Sequence, residues 1–208
     1  MYNIKIALTG AQSTGKSTVI QGLRNSDFEF HFIDSPTRDI ETGGHGINEN
    51  GDDETQLMIT SNHIKKFALS QGISFFDRCA LDGLVYTTYL WKQKKVSDYV
   101  LELAIATCRN LIKQYDAVLY FPPEIDIIDD GIRSIDVGFR DDVVDIFESY
   151  LNDYRIPHAK ITGTVKERVQ KVLMIVDRIK KAKDEEDAIF DMLDERLQDQ
   201  LDKIKEEK

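Results

Sequence analysis

Cysteine is scarce. The two present, Cys79 and Cys108, fall in no CxxC or Cys/His cluster. That excludes a disulfide scaffold and the usual zinc motifs, and both read as free, buried thiols of a reducing compartment. No run approaches the ~18 apolar residues that a membrane-crossing helix needs. No basic stretch followed by a long apolar one opens the chain, so the expectation is a soluble, cytosolic protein with no membrane partner. Positive charge is outnumbered: 27 Lys and Arg face 37 Asp and Glu, a formal net charge of −10. Binders of duplex DNA draw most of their affinity from basic phosphate contacts, so this balance argues against a general nucleic-acid platform. There is no N-K-x-D segment of the kind that selects guanine, which argues against a GTPase switch, and no sensor elements of a motor ATPase are visible.

What is present is an alternation of short apolar runs and helical patterns across 208 residues, 41% of them hydrophobic, enough for one α/β domain with a sizeable core. Strands are expected at 3–9, 28–35, 72–78, 116–123 and in "PHAKITG", with helices between them. Parallel strands need such crossovers, so the expected fold class is α/β, a five-stranded parallel sheet with helices on both faces. "ETGGHGINENGDDET" (41–55), rich in Gly, Asn and Asp, reads as a loop. Residues 1–179 form the expected domain and 180–208 an appended amphipathic helix. In that tail Ile189, Leu193, Leu197 and Leu201 recur at every fourth position between Lys and acidic residues. Docking on its own domain is one reading of the helix, and pairing with a second copy as a homodimer, or with another partner, is the other.

The chemistry starts at "GAQSTGKST". The match to G-x-x-x-x-G-K-[ST] follows an expected strand and opens an expected helix, the context that gives the pattern its meaning. Gly10 and Gly15 permit turns that a Cβ resists. The N–H groups across Ala11, Gln12, Ser13 and Thr14 can converge on phosphate oxygens at a helix N-terminus. Lys16 reaches the terminal phosphates, Ser17 offers a hydroxyl to Mg²⁺, and Thr18 caps or packs. Asp77, at the end of "ISFFD", is the expected second ligand of the ion.

A kinase also needs an acceptor side. Asp34 ends the second expected strand and is the candidate base for an acceptor hydroxyl. Arg38 and Arg78 are candidates for orienting the acceptor, with Asp82 beside them. Arg133 and Arg140, in "DDGIRSIDVGFR", are the candidate cations of a closing lid.

Together the loop, "DSPTR", "FFDR" with Asp82 and Tyr86, and "DDGIRSIDVGFR" resemble the AAA-type ATP-binding domain family over roughly residues 3–178. That family includes the ribosylnicotinamide kinase domain of bacterial NAD-biosynthesis regulators and small phage nucleotide kinases. The resemblance implies a P-loop kinase core with strand order 2-3-1-4-5, ATP as donor, and adenine bordered by Thr162, Gly163 and Thr164. The "DSPTR" position resembles the Glu-Pro segment of deoxynucleoside kinases, whose acid is the base; Asp34 is one methylene shorter. The expected function is therefore an ATP- and Mg²⁺-dependent kinase acting on a nucleoside, nucleotide or related small molecule. Two alternatives stand beside it. One is a kinase of nucleic acid, at a 5′-hydroxyl or a modified base such as hydroxymethyluracil, using Lys65, Lys66, Lys92, Lys94 and Lys95 as a patch. The other is a non-metabolic ATP-binding regulatory module.

Overall fold

The computed structural model describes residues 2–124 and 137–206. Strand β1 (Ile4–Thr9) leads through the glycine-bearing loop into helix α1 (Lys16–Arg24), then β2 (His31–Ile33) and α2 (Pro36–Thr42). A single 3₁₀ turn (Asn48–Asn50) precedes α3 (Asp53–Leu69) and β3 (Ile73–Asp77). Two helices, α4 (Ala80–Lys92) and α5 (Asp98–Leu111), then a 3₁₀ turn (Ile112–Gln114), lead to β4 (Ala117–Tyr120). Helix α6 (Val137–Asp153), β5 (Ala159–Lys160) and α7 (Val165–Glu206) complete the order.

The five strands form one parallel sheet in the order β2-β3-β1-β4-β5, the order implied by the resemblance. β1 is central, and all of it but Lys5 is buried, as is all of β3. That is why both strands read as unbroken apolar runs instead of alternating ones. The chain reverses its direction of travel across the sheet at β1, where β3 lies on one side and β4 on the other. Open α/β sheets bind ligands outside the strand ends at such a point. Backbone bonds extend the ladder past the strands there: Arg78 N–H donates to Leu8 O at 3.0 Å and Phe121 N–H to Thr9 O at 2.9 Å.

Several element bounds differ from the expectation. β2 spans three residues rather than 28–35, because Phe28 and Phe30 leave the ladder and stack on one another, with Phe30 also meeting Phe75 edge-on. "DSPTRDI" holds a helix that the apolar pattern does not announce. Pro36 is its first residue, where the missing N–H costs nothing, and the Ser35 hydroxyl accepts from Thr37 N–H at 3.4 Å. The expected loop at 41–55 is shortened from both sides. α2 runs to Thr42, and Asp52 caps α3 through a reciprocal pair, Thr55 N–H to Asp52 Oδ1 and Asp52 N–H to Thr55 Oγ1. The C-terminal helix is one continuous α7 from Val165, and Thr164 with Glu167 forms a similar cap at its start. The chain divides into two compact units, Met1–Lys171 and Val172–Lys208. No described helix is long and apolar enough to cross a membrane, and Cys79 and Cys108 are both free and buried.

Candidate functional site

The loop after β1 has a backbone geometry that its glycines permit. Gly10 lies at φ 138° and Gly15 at φ 86°. A Cβ on Gly10 would sit 2.5 Å from the Phe121 carbonyl oxygen, so the loop is glycine there for space as well as for φ. Ser13 takes a left-handed φ of 56°, an unusual choice for a residue with a Cβ and the kind of local strain held at functional sites. Lys16, buried, folds back over its own loop and donates to Gly10 O and Ala11 O, both at 2.7 Å, and to Thr14 Oγ1 at 3.1 Å. Gln12 Nε2 and Ser13 Oγ are buried with no protein partner. Two orphaned polar atoms in one short loop are costly unless a ligand satisfies them.

That loop walls a cavity of about 350 Å³. Residues Gln12 to Ser17 form one side, and Ser35, Thr37, Arg38, Asp77 and Arg78 face them. Ser17 and Asp77, the expected Mg²⁺ ligands, thus share one cavity. The pair suits an ion that keeps several of its waters. Among the described residues there is no cluster of three His, Cys, Asp or Glu, so an all-protein metal cage is absent there. Arg38 Nη2 lies 3.6 Å from Asp77 Oδ2 and its Nη1 lies 3.9 Å from Asp34 Oδ1. Arg24 Nη2 approaches the same Asp34 oxygen at 4.0 Å. Asp34 is 61% exposed and does not line the cavity, whereas the Asp77 side chain is 10% exposed and does.

Arg78 has φ 76°, and its guanidinium lies 5.0 Å from the centre of the Tyr86 ring. Asp82 is placed beneath the loop as a brace. It accepts from Thr9 Oγ1 at 2.7 Å, from Cys79 N–H at 2.9 Å and from Gly10 N–H at 3.4 Å. Burial raises its carboxyl above the usual range, against the pull of the nearby Lys16 and Arg78 charges. Behind Arg78, His63 is wedged against Gly83; burial, with Arg78 and Lys66 adding to it, depresses the imidazole to about 3, so it is neutral at physiological pH. Arg140 is buried on α6 and is not in the lining of the cavity. Arg133 lies outside the described residues.

Gly163 and Thr164 border a second hollow of about 500 Å³ on the other side of Gly15, with Thr18, Glu124 and Arg168. Thr162, next to them, accepts from Lys171 Nζ at 2.9 Å through its carbonyl oxygen. Sequence reasoning missed Glu41, Thr37 and Asn48 in the first cavity and Glu124 and Arg168 in the second. Recognising α2 would have pointed to Thr37 and Glu41, since a Ser-Pro helix start puts them one turn apart on one face.

Strand order, loop and cavity together meet an independent match: the model of an AAA domain aligns with residues 5–168. The chain belongs to the AAA domain family. No curated protein matches this AAA domain. Solved structures do. The NadR protein in complex with NR superposes with a TM-score of 0.67 at 19% identity, over 86% of this chain and 52% of that one. NadR in complex with NAD and AMP-PNP gives 0.64 at 16%, over 86% and 49%. Deoxyadenosine kinase from M. mycoides, with dCMP and dCDP bound, gives 0.63 at 15%, over 85% and 100%. The AAA domain chain spans about half the length of the NadR chains it matches. At these identities the likeness establishes a P-loop kinase-like fold.

Proposed function

We propose that the chain is a kinase that uses ATP and Mg²⁺ to phosphorylate a hydroxyl or phosphate oxygen of a nucleoside, a nucleotide or a related small molecule. One observation carries the reading: an anion-binding loop with orphaned Gln12 and Ser13 donors faces Arg38, Asp77 and Arg78 across a single cavity. A switch or motor shares the loop and a carboxylate for Mg²⁺; what supports the kinase reading is the pair Arg38 and Arg78 at the far wall, which suits an acceptor held opposite the donor phosphates.

The loop N–H groups and Lys16 hold the β- and γ-phosphates. Lys16 leaves its loop carbonyls for the phosphates, exchanging neutral acceptors for charged ones. When bound beside Ser17 and Asp77, Mg²⁺ neutralises charge on the transferring group. Arg78 and Arg38 position the acceptor. Its oxygen bonds to the γ-phosphorus as the bond to ADP breaks, and where that oxygen is a hydroxyl its proton passes to a carboxylate. Asp77 and Glu41 line the cavity and are the candidate acceptors of that proton. Asp34, the candidate from sequence, reaches the site through Arg38. Thr162, Gly163 and Thr164 border the base of the donor, and Arg133 and Arg140 keep the proposed role of lid cations.

Labelled ATP and Mg²⁺ with a panel of nucleosides, nucleoside monophosphates, ribosylnicotinamide and oligonucleotides tests this directly. Transfer to a small molecule, abolished in Lys16→Met, is the expected result. Transfer to oligonucleotides alone selects the nucleic-acid kinase, and nucleotide binding without transfer selects the regulatory module.

A further inference from the structure

Arg168 lies far from the loop in sequence, on the first turn of α7, yet it is 2% exposed and its guanidinium engages three elements at once. Nη1 donates to Thr14 O at 2.7 Å, Nε donates to Gly163 O at 2.7 Å, and Nη2 meets Glu124 Oε2 at 3.0 Å. The same Glu124 oxygen accepts from Gly163 N–H at 3.3 Å. One cation therefore ties the phosphate loop, the segment that follows β4 and the turn after β5 into a closed network.

We propose that Arg168 is a positioning residue of the donor site, holding the phosphate loop in its anion-accepting form and making the floor of the compartment for the donor's base. The inference rests on the donor-site reading above. Its geometry follows from peptide planarity. A trans peptide sets its N–H opposite its C=O, and no peptide among the described residues is cis. Arg168 pins Thr14 O, so the N–H of Gly15 is turned to the opposite side of that peptide. Gly15 lines both hollows, one with Lys16 and Asp77, the other with Glu124, Gly163 and Arg168. Without the guanidinium, Thr14 O is left as a buried acceptor with no donor. The relaxed peptide then turns its oxygen toward an anion that it repels. Lysine cannot replace the fork, because one ammonium does not span two carbonyls and a carboxylate in the same planar arrangement. The Thr164–Glu167 cap fixes the turn from which Arg168 projects.

The test is calorimetric binding of inorganic tripolyphosphate and of ATP, each with Mg²⁺, to wild type, Arg168→Met and Arg168→Lys, well below their melting temperatures. Tripolyphosphate has no base, so it reports the loop alone. The expected result is that Arg168→Met weakens both ligands by about tenfold or more, and Arg168→Lys by about threefold or more. A purely structural role lowers the melting temperature and leaves the affinities of the folded protein unchanged. Unchanged tripolyphosphate affinity in the variants overturns the inference. If Arg168→Met does not fold, Arg168→Lys decides by the same criterion. A wild type that binds neither ligand overturns the donor-site reading itself, and this inference with it.

Discussion

The Tyr86 hydroxyl donates to Gln12 Oε1 at 3.0 Å, joining α4 to the phosphate loop. The same ring lies under the Arg78 guanidinium. One aromatic side chain thereby orients a loop amide and a cavity cation, and it fixes which end of the Gln12 amide is left for a ligand. Tyr86→Phe keeps the ring and removes the tether. The expected loss is about 1–2 kcal/mol of stability, from a buried Gln12 oxygen left without its donor. Urea denaturation of Tyr86→Phe, Gln12→Ala and the double variant checks it; additive losses would show that the two side chains do not act as a pair.

Asp77 and Asp34 both approach Arg38, but only Asp77 lines the cavity. Asp77→Asn is expected to lower kcat by about a hundredfold or more, because catalysis of phosphoryl transfer rests mainly on neutralising charge at the transferring group. Asp34→Asn acts through an exposed pair and is expected to cost only severalfold. Steady-state kinetics of the two variants decide it, and the reverse ranking would return the base to Asp34.

Gly10→Ala puts a Cβ at 2.5 Å from the Phe121 carbonyl oxygen, a backbone atom that cannot step aside. We expect a fall in stability of about 2 kcal/mol or more and loss of nucleotide binding, seen as a lower Tm that added ATP no longer raises. A Tm and an ATP response like those of wild type would contradict this close approach.

His63 is neutral in the fold because burial holds its pKa at about 3. The unfolded chain takes up a proton at this residue near 6.5, so the neutral imidazole contributes stability above that pH and loses it as the pH falls toward 3. At pH 4.5 the loss relative to pH 7 is on the order of 2–3 kcal/mol. Denaturant titrations of wild type and His63→Gln should show a smaller acid loss in the variant; equal losses would remove His63 as the cause.

Ile189, Met192 and Leu193 are exposed on α7. We expect them to pair with the same face of a second copy, so Leu193→Glu should reduce the mass measured by light scattering. A wild type that is already monomeric at high concentration would end that reading.

Much of the architecture is legible in the order of residues alone. Five apolar runs separated by helical patterns leave few arrangements other than a covered parallel sheet, because crossovers between parallel strands must pack on its faces. The phosphate loop is legible too, since its glycines, lysine and serine answer to local geometry over eight residues. Local pattern could not show that Asp82, a candidate for the acceptor side, is buried and accepts from Thr9 and Gly10. Nor could it rank Asp77 over Asp34, since both end a strand and only the walls formed by α2 and the phosphate loop separate them. Arg168 and Glu124 were invisible for the same reason. Arg168 meets Thr14 across 154 positions of sequence, and a hydrogen bond over that distance exists only once the sheet has brought β1, β4 and β5 side by side.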